Sequence, residues 1–229
     1  MIDIHSHILP KFDDGSKSAE ESLKMLEIFK EQGVSTVVAT PHFYAEKEGV
    51  TDFLKRRSSA FEEFKNELSD NLPKVILGAE VRYYEGISSL ENIKDLCIEN
   101  TNLLLLEMPF CKWSEFAFKE LIALSCKGNI TLVLAHIERY INFQASGVID
   151  TLLQNGVLLQ VNASAFSDFF LKNKILKLLK NQAIHFIGSD CHNLTTRPPQ
   201  ILFAYNAIEK KLGKDFVNDF VQFGNEMFL

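Results

Sequence analysis

Histidine and carboxylate side chains recur at the ends of short apolar segments along this chain of 229 residues. The first segment ends in His5 and His7, which flank Ser6. Alternate side chains of an extended strand point to the same side, so these two imidazoles can bind one ion together. Mixed imidazole and carboxylate ligands are typical of Mn²⁺, Fe²⁺ or Zn²⁺, whereas Ca²⁺ and Mg²⁺ favour oxygen ligands. The residue types at this segment end therefore indicate binding of such a divalent metal.

Five further segments also end in ionisable residues. Each of these residues taken alone is more often a hydrogen-bonded structural group, and Glu80 or Glu107 alone can pair with a nearby cation. A carboxylate at the end of a buried apolar strand is nevertheless costly unless it is paired or coordinated. Because the pattern recurs at six segment ends, we predict a polynuclear metal site. Its candidate ligands are His5, His7, one of Asp13 and Asp14, His42, Glu80, Glu107, His136, Asp190 and His192.

Short apolar runs alternate with longer amphipathic segments along the chain, and these elements must position the candidate ligands. Most of the short runs are continuously apolar, which indicates parallel strands covered on both faces. Strands are predicted at 1–7, 35–42, 74–81, 102–108, 130–136, 156–162 and 185–190. Amphipathic helices are predicted at 18–32, 51–69, 114–127, 146–155, 168–181 and 198–212. This alternation is typical of βαβ units.

Seven predicted strands favour a compact α/β barrel, one strand short of the common eight, with residues 1–229 as a single domain. An open doubly wound sheet is the alternative, since periodicity does not show closure. In both architectures the carboxyl ends of the strands share one face, where active sites are assembled. The histidines and carboxylates are therefore expected to converge. His185 opens its strand instead, so we expect it at the opposite face as a structural residue.

The composition limits the kinds of binding partner and the cellular compartment that we expect. Lys and Arg number 24 against 30 Asp and Glu, which gives a net charge of −6. Nucleic-acid-binding proteins need a basic face, so we do not expect a nucleic acid partner. No apolar run approaches the ~20 residues that span a bilayer, and no basic segment of the signal-peptide type opens the chain. The four cysteines have no disulfide-type spacing, and we expect a cytoplasmic protein.

The segments that carry the candidate ligands resemble a known family. In order they read MIDIHSHILPKFDDG, ATPH, GAE, LLEMP, AHIERY and GSDCHN, and they extend from Met1 to about Pro199. This ordered set resembles the polymerase and histidinol phosphatase (PHP) superfamily. The HSHILP…DDG and AHIERY segments are most similar to the manganese-dependent protein tyrosine phosphatases of Gram-positive capsule and exopolysaccharide loci.

The resemblance implies a distorted, TIM-like (β/α)7 barrel of the PHP type with three divalent metal ions, Mn²⁺ first, with Fe²⁺ or Zn²⁺ as alternatives. It favours Asp14 over Asp13 as a ligand, because related motifs place the ligand directly before the glycine. Arg139 and Arg197 match two arginines that bind phosphate in these enzymes. The three implied ligand sets are His5, His7, Glu80 and Asp190; Glu80, Glu107 and His136; and Asp14, His42 and His192.

The chemistry of these residue types agrees with a phosphatase. Divalent ions lower the pKa of a bound water towards neutrality, so that hydroxide attacks without a protein nucleophile. The planar guanidinium groups of Arg139 and Arg197 suit phosphate oxygens. A tyrosine phenol has a pKa of about 10, so metal-bound His42 or a metal-bound water is a sufficient acid for it. The candidates to flank an aromatic ring, in the loops after the first two strands, are Phe12, Phe43 and Tyr44, with local packing as the alternative role for each.

A second phosphatase signature is present in the same region. Cys191 and Arg197 are spaced as C-x5-R between a predicted strand and helix, as in cysteine-dependent tyrosine phosphatases. The intervening loop, however, has no glycine for a tight anion-binding turn, and Pro198 and Pro199 remove amide donors. Asp190 also raises the pKa of the neighbouring thiol. Since this mechanism leaves the other strand-end clusters unexplained, we favour the metal-dependent one.

We therefore predict a metal-dependent phosphotyrosine-protein phosphatase. The resemblance implies that its phosphorylated partner is a bacterial tyrosine kinase of capsular or exopolysaccharide synthesis. The alternatives are another PHP phosphomonoesterase, such as a histidinol phosphatase, and a non-catalytic metal-binding regulatory module. A deaminase or amidohydrolase is less favoured, because paired arginines indicate a dianionic group.

Overall fold

The computed structural model describes residues 1–228 and has an α/β fold built on short strands. Within these residues all strand pairs are parallel. The strands are β1 (Ile2–Ser6), β2 (Thr36–Ala39), β3 (His42–Phe43), β4 (Lys74–Leu77), β5 (Glu80–Arg82), β6 (Leu103–Glu107), β7 (Thr131–Leu134), β8 (Leu158–Asn162) and β9 (Phe186–Gly188).

Helices alternate with most of these strands. The first helix begins and ends within one residue of its predicted boundaries. The Ser18 hydroxyl accepts a hydrogen bond from Glu21 N–H at 3.1 Å at its start, and Gly33 follows its end with a φ of 78°. None of the helices described in residues 1–228 has the length and hydropathy to cross a bilayer. The α-helices are α1 (Ala19–Glu31), α2 (Val50–Lys65), α3 (Glu115–Ser125), α4 (Val148–Gln154), α5 (Phe169–Lys180), α6 (Ile201–Leu212) and α7 (Lys214–Glu226).

Two of the predicted strands are interrupted. The second is divided into β2 and β3 next to Pro41, and the third is divided into β4 and β5 at Gly78. Proline has no N–H to donate to a strand ladder, which explains the first break. Parallel pairing resumes beyond both breaks, since Glu80 N–H donates to the Pro41 carbonyl at 3.1 Å. Each pair of short strands therefore follows the course of one predicted strand.

The strands form a curled parallel sheet. One part has the order β1-β2-β4, and the other has the order β3-β5-β6-β7-β8-β9. The first and last strands also approach each other, because His7 N–H donates to the Cys191 carbonyl at 2.9 Å and Asp190 N–H donates to the His5 carbonyl at 2.8 Å. The curl brings together strand ends that are far apart in the sequence.

Buried apolar side chains cover both faces of the curled sheet. Along β6, Leu105 packs among side chains of other strands, such as Ile4 and Val133, whereas Leu104 and Leu106 belong to the cluster that includes the helices. Burial on both faces explains why the strand segments are continuously apolar rather than alternating. The core thus surrounds the strands and leaves their carboxyl ends for polar side chains.

The sequence predicts no helix beyond residue 212, whereas the structure has α7 directly after α6. None of the side chains of α7 is fully buried. Its partly buried phenylalanines nevertheless pack on the core, and the Phe220 ring lies 6.3 Å from that of Tyr205 in α6. Tertiary packing of one apolar face supplies most of the stability of such a helix.

Candidate metal centre

The nine side chains predicted as ligands converge at the carboxyl ends of the strands. Glu80 begins β5 and Glu107 ends β6, whereas His136 follows β7 and Asp190 follows β9. His136 and Asp190 have φ values of 36° and 52°, which residues with a side chain rarely adopt. Strained backbone of this kind concentrates at functional sites, where a side chain needs one particular direction.

Glu80 is buried at the centre of the cluster. Its Oε2 atom lies 3.3 Å from both His5 Nε2 and His7 Nε2, and 2.9 Å from His42 Nδ1. Its Oε1 atom lies 3.0 Å from His136 Nε2. The two oxygens face different histidines, and this carboxylate belongs to two of the groups of possible ligands described below.

Asp190 connects the histidines to the two predicted arginines. Its Oδ1 atom lies 3.5 Å from His5 Nε2 and 2.6 Å from Arg197 Nη2. Its Oδ2 atom accepts hydrogen bonds from Arg139 Nη2 at 2.8 Å and from Asn162 Nδ2 at 2.7 Å. The two partly exposed guanidinium groups therefore meet on one carboxylate beside the cluster.

Asp14 lies on the other side of the cluster. Its Oδ1 atom is 3.4 Å from His42 Nε2 and 3.5 Å from His192 Nε2, and its side chain is 64% exposed. The neighbouring Asp13 is nearly buried and faces the chain instead. The imidazole of His7 and the backbone N–H groups of Gly15 and His42 surround its carboxylate, at 2.8, 2.9 and 3.0 Å.

The contact with Asp13 sets the orientation of the His7 imidazole. Asp13 Oδ2 is 2.8 Å from Nδ1 of the imidazole, and this contact leaves Nε2 directed at Glu80. A carboxylate in this position selects the tautomer and orientation of a ligand histidine. The structure therefore places Asp13 behind a candidate ligand and Asp14 among the candidate ligands.

The possible ligand atoms form four overlapping groups, each with its atoms within 4.8 Å of one another. Glu107, a member of one group, also contacts His136 of another group, since Glu107 Oε1 lies 3.3 Å from His136 Nε2. Every residue of the predicted set belongs to at least one group. The groups are His7, Asp14, His42 and His192; His5, His136 and Asp190; His5, His7 and Glu80; and His42, Glu80 and Glu107.

Several buried polar atoms of the cluster have no hydrogen-bond partner, although they lie close to one another. They are both carboxylate oxygens of Glu80, Nδ1 of His42 and His136, and Nε2 of His192. Leaving one such atom without a partner costs about 1–3 kcal/mol, and more for a charged group. Imidazole nitrogens and carboxylate oxygens that face a common space are the donor set of Mn²⁺, Fe²⁺ and Zn²⁺. The residues present therefore fit divalent cations.

Burial and crowding of charge shift the ionisation of the cluster. Burial raises the pKa of Glu80, but the surrounding histidines outweigh it and hold this pKa well below its usual range. Burial lowers the pKa of His136, yet neighbouring carboxylates, Glu80 first, raise it to about 9. Burial and nearby cationic groups lower the pKa of His192 to about 4. Because ligand nitrogens must be unprotonated, a cation bound here displaces protons, from His136 in particular.

Two amide side chains of β8 support the cluster and were not among the predicted site residues. Gln160 Oε1 accepts from His136 N–H at 2.8 Å and lies 3.3 Å from His5 Nδ1. Gln160 Nε2 donates to Asn162 Oδ1 at 2.9 Å, and Asn162 in turn donates to Asp190. The available signal was the alternation of two amides in an otherwise apolar strand segment. β8 therefore contributes support for possible ligands rather than a ligand.

A cleft of about 230 Å³ opens beside the cluster. Of the aromatic residues predicted to flank a substrate, Tyr44 lines this cleft. The prediction is wrong for Phe43, which is buried against Phe53 at a ring distance of 5.2 Å, because β3 turns its side chain into the core. Phe12 packs under the guanidinium of Arg56 and lines an adjoining cavity. The lining residues of the cleft are His42, Tyr44, Glu80, Arg82, Glu107, Met108, Pro109, Phe110, His136, Arg139, Asp190 and Arg197.

Cys191 lies beside the cluster but is buried and does not line the cleft. Burial, with the nearby Asp3 carboxylate, raises the pKa of its thiol well above the ordinary value. A nucleophilic cysteine needs the opposite, a lowered pKa and access for substrate. The surroundings of Cys191 therefore disfavour the C-x5-R mechanism.

Fold and cluster together define a class, an α/β protein with a candidate polynuclear metal centre at the carboxyl ends of its parallel strands. The chain belongs to the CpsB/CapC family of capsular polysaccharide synthesis, whose profile matches residues 1–228. Tyrosine-protein phosphatase YwqE of Bacillus subtilis (strain 168) is 32% identical over 226 residues, which cover 94% of this chain and 86% of YwqE.

Solved structures extend these similarities to the fold. A chain from the crystal structures of YwqE and of CpsB from Streptococcus pneumoniae, described as metal-dependent tyrosine phosphatases, matches with a TM-score of 0.84 and 27% identity over 100% of this chain and 94% of that chain. Histidinol phosphate phosphatase from Lactococcus lactis shares the fold, with a TM-score of 0.54 at 14% identity over 91% of this chain and 92% of that chain. The resemblance indicated by the sequence motifs is confirmed.

Proposed function

We propose that this protein is a metal-dependent phosphotyrosine-protein phosphatase. The observation that carries the proposal is a cluster of nine possible metal ligands that adjoins two arginines beside one cleft, with Asp190 between them. The ligands offer a site for divalent cations, and the arginines offer planar donors for a phosphate dianion. The relatives YwqE and CpsB, which carry the name tyrosine-protein phosphatase, support phosphotyrosine as the substrate.

We assign three divalent ions to the cluster, Mn²⁺ first, with Fe²⁺ or Zn²⁺ as alternatives. The unpartnered nitrogens and oxygens support this assignment, because buried polar atoms of proteins normally have a partner. When bound, such ions lower the pKa of a coordinated water towards neutrality and offset the charge of phosphate oxygens. The assigned sets are His5, His7, Glu80 and Asp190; Glu80, Glu107 and His136; and Asp14, His42 and His192.

Arg139 and Arg197 bind and orient the phosphate group in this proposal. Their side chains bond to opposite oxygens of Asp190, and both line the cleft. A phosphoryl group passes through a loose transition state with charge spread over its equatorial oxygens, so positioned guanidinium groups stabilise it. Asn162 also donates to Asp190 Oδ2, which keeps this carboxylate in place when the arginines turn to phosphate.

His42 protonates the leaving phenolate in this proposal. Its ring lines the cleft beside Tyr44, at a ring distance of 5.2 Å. Its Nε2 atom lies 3.4 Å from Asp14 Oδ1, and its Nδ1 atom lies 2.9 Å from Glu80 Oε2. A phenol with a pKa of about 10 needs only a weak acid of this kind.

We further propose that the short strands compose a distorted (β/α)7 barrel, with β2 and β3 as one strand and β4 and β5 as another. The Ser6–Cys191 bridge between the first strand and the segment after the last supports closure. The single domain proposed for residues 1–229 ends at Leu229, which lies outside the described residues. The match of the family profile to residues 1–228 supports this extent.

The proposed partner is a tyrosine-phosphorylated protein, a bacterial tyrosine kinase of capsular or exopolysaccharide synthesis. The family's description as capsular polysaccharide synthesis proteins supports the setting. We place the protein in the cytoplasm, because its four cysteines are all free thiols, as is usual in a reducing compartment. Nucleic acid is not part of the proposal, since the net charge is −6.

The direct test compares metal content and turnover. Freshly purified protein is analysed for metals, stripped with a chelator and reloaded separately with Mn²⁺, Fe²⁺ and Zn²⁺. We expect hydrolysis of a phosphotyrosine peptide to disappear on stripping and return on reloading, with a higher kcat/KM than for histidinol phosphate. Full activity in the chelator would refute the proposal, whereas preference for histidinol phosphate would select the other phosphomonoesterase.

Variants test the arginine roles in the same assay. We expect Arg139→Lys and Arg197→Lys each to lower kcat/KM by about 10²- to 10³-fold, because lysine cannot replace a bidentate donor to the charge that develops on phosphate. Arg56→Lys is the matched control, since Arg56 bonds to Glu48 and does not line the cleft. If metal-loaded protein turns over no phosphoester at all, the non-catalytic metal-binding module is the correct reading.

A further inference from the structure

Phe110 is an exposed aromatic side chain at a largely polar cleft. It follows β6 by three residues and is 50% exposed, although the Met108 side chain two positions earlier is buried. Most of the cleft is lined by histidines, carboxylates and arginines, and the half-exposed Phe110 ring adds an apolar surface next to the metal cluster. An exposed ring that lines a polar cleft is a candidate binding surface.

The surrounding residues hold the Phe110 ring in one orientation. Its ring stacks on that of Tyr140 with centroids 5.8 Å apart and planes inclined by 29°. Tyr140 is itself buried, packs against Trp113 at 5.3 Å and accepts a hydrogen bond from Met108 N–H at 2.9 Å through its hydroxyl. One face of the Phe110 ring is therefore supported, and the half-exposed remainder is available without loss of much conformational freedom on binding.

Phe110 is also close to the groups that would hold phosphate and metal. The guanidinium carbon of Arg139 lies 5.1 Å from its ring centroid, and the His136 ring lies 6.0 Å away in an edge orientation. In an aryl phosphate the phosphate ester oxygen is attached directly to the ring. A protein surface that contacts the substrate ring must therefore adjoin the group that binds the phosphate. Phe110 meets this condition, because it lies next to Arg139.

We propose that Phe110 is a specificity-determining residue that packs against the phenyl ring of phosphotyrosine and so favours aryl over alkyl phosphomonoesters. This inference rests on the proposed function. Tyr44 lines the same cleft and offers a further aromatic surface beside His42. An alkyl phosphate such as phosphoserine has no ring to occupy this part of the cleft, so it gains nothing from Phe110.

A structural role for Phe110 makes a different prediction. If the ring only supports Arg139 through their contact, its removal weakens every phosphate-containing ligand equally. If it contacts the substrate ring, the loss is confined to aryl ligands. The ratio between aryl and alkyl ligands therefore separates the two roles, and differences in leaving-group reactivity cancel when each variant is compared with the wild type.

The first experiment measures binding without turnover. Mn²⁺-loaded wild type, Phe110→Ala and Phe110→Tyr are titrated calorimetrically with phenylphosphonate and methylphosphonate. We expect Phe110→Ala to weaken phenylphosphonate about tenfold, as is typical for the loss of one aromatic contact, and methylphosphonate less than about twofold. Phe110→Tyr, which keeps the ring, retains the wild-type ratio. Equal weakening of both ligands by Phe110→Ala would overturn the proposal.

The second experiment measures turnover of phosphotyrosine and phosphoserine. We expect Phe110→Ala to raise KM for phosphotyrosine about tenfold with little change in kcat, because the ring contact is made equally in the bound substrate and the transition state. The matched control is Phe143→Ala, since Phe143 is 49% exposed in a neighbouring loop and does not line the cleft. An equal effect of the control variant would also overturn the proposal.

These two experiments also separate the inference from the proposed function. If the wild type binds phenylphosphonate but hydrolyses no phosphoester, the proposed function fails while the binding ratio still tests Phe110. If the wild type hydrolyses phosphotyrosine and Phe110→Ala leaves the aryl-to-alkyl ratio unchanged, the inference fails while the proposed function stands.

Discussion

At the scale of single residues, adjacent side chains have different surroundings and therefore different expected roles. Asp13 accepts hydrogen bonds from the backbone and lies against His7, whereas Asp14 is exposed and faces His42 and His192. Burial raises the pKa of Asp13, but His7 outweighs it, and the net pKa lies below the ordinary value. We therefore expect Asp13 to contribute to the stability of the fold and Asp14 to contribute to metal binding.

We expect Asp13→Ala to lower the free energy of unfolding of chelator-stripped protein by about 2–3 kcal/mol, because buried partners lose a charged acceptor. We expect Asp14→Ala to change it by less than about 0.5 kcal/mol, as is usual for an exposed position, but to reduce the bound metal after reloading. Urea unfolding and metal analysis measure the two effects. Equal loss of stability in both variants would contradict this assignment.

Cys191 provides a second test at this scale. Its thiol is buried and the pKa is raised, so we expect Cys191→Ser to keep kcat/KM for a phosphotyrosine peptide within about threefold of the wild type. Treatment with a thiol-alkylating reagent should likewise leave activity in place. Loss of activity in Cys191→Ser with its metals still bound would instead support the cysteine mechanism.

At the scale of secondary structure elements, close packing between strands positions the cluster. β9 approaches β1 and β8 so closely that only glycine fits at position 188. A Cβ atom there would lie 2.6 Å from the Cβ of His5 and 2.7 Å from Nε2 of Gln160. The spacing of the strands thus sets the position of a candidate ligand and of the amide behind it.

We expect Gly188→Ala to lower the free energy of unfolding by about 1–3 kcal/mol through overpacking, and to reduce bound metal by displacing His5. Gly224→Ala is the matched control, because Gly224 lies in α7 with no atom within 4 Å of an added Cβ. Alanine in that helix should stabilise the protein by about 0.5–1 kcal/mol. Denaturant unfolding and metal analysis of both variants measure these changes. A Gly188→Ala variant with the stability and metal content of the wild type would show that the strands can move apart without cost.

Most of the strands and helices could be predicted, because periodicity and apolar runs are local properties of the chain. The break next to Pro41 was missed although proline is a local signal for it. The break at Gly78 and the existence of α7 were missed because they depend on neighbouring strands and on packing. At the site, residues at strand ends were identifiable from their type and position. Gln160, Asn162 and Phe110 were not, because amides and phenylalanines acquire a role there only through the side chains that surround them.

At the scale of the whole molecule, the two ends of the curled sheet differ. The carboxyl ends of the strands carry the polar cluster, whereas His185 lies at the amino end of β9, as predicted. Its Nδ1 accepts a hydrogen bond from Leu159 N–H at 3.1 Å, and its ring lies 5.9 Å from that of Phe223 in α7. A largely apolar cavity of about 370 Å³, which Asp219 also lines, adjoins it. Burial lowers the pKa of His185 to about 4.

This shift predicts a sensitivity to acid at the end of the molecule away from the cluster. The pKa of His185 is lower in the folded state than the ordinary value of about 6.5, so the unfolded chain binds more protons between these pH values. The stability contributed by neutral His185 is complete above about pH 6.5 and declines as the pH falls towards 4. After allowance for its partial exposure, we expect a loss of about 2 kcal/mol.

The variant His185→Asn isolates this effect, because the amide oxygen accepts a hydrogen bond but does not titrate in this range. Urea unfolding of the stripped proteins at several pH values gives the difference between wild type and variant, in which the titration of all other groups cancels. We expect this difference to shrink from pH 6.5 to 4. Parallel stability curves would contradict the prediction.

The sequence by itself determined the alternation of strands and helices, the class of metal ligand and the end of the sheet at which the ligands meet. These follow from local periodicity, residue chemistry and chain direction. Only the tertiary structure showed that Asp13 lies behind His7 while Asp14 faces His42 and His192. It alone also showed that Phe43 is buried and that Phe110 is exposed at the cleft. It also decided that Gln160 supports His5, 155 residues away in the sequence. Such contacts depend on how distant strands pack together, and residue spacing does not contain that information.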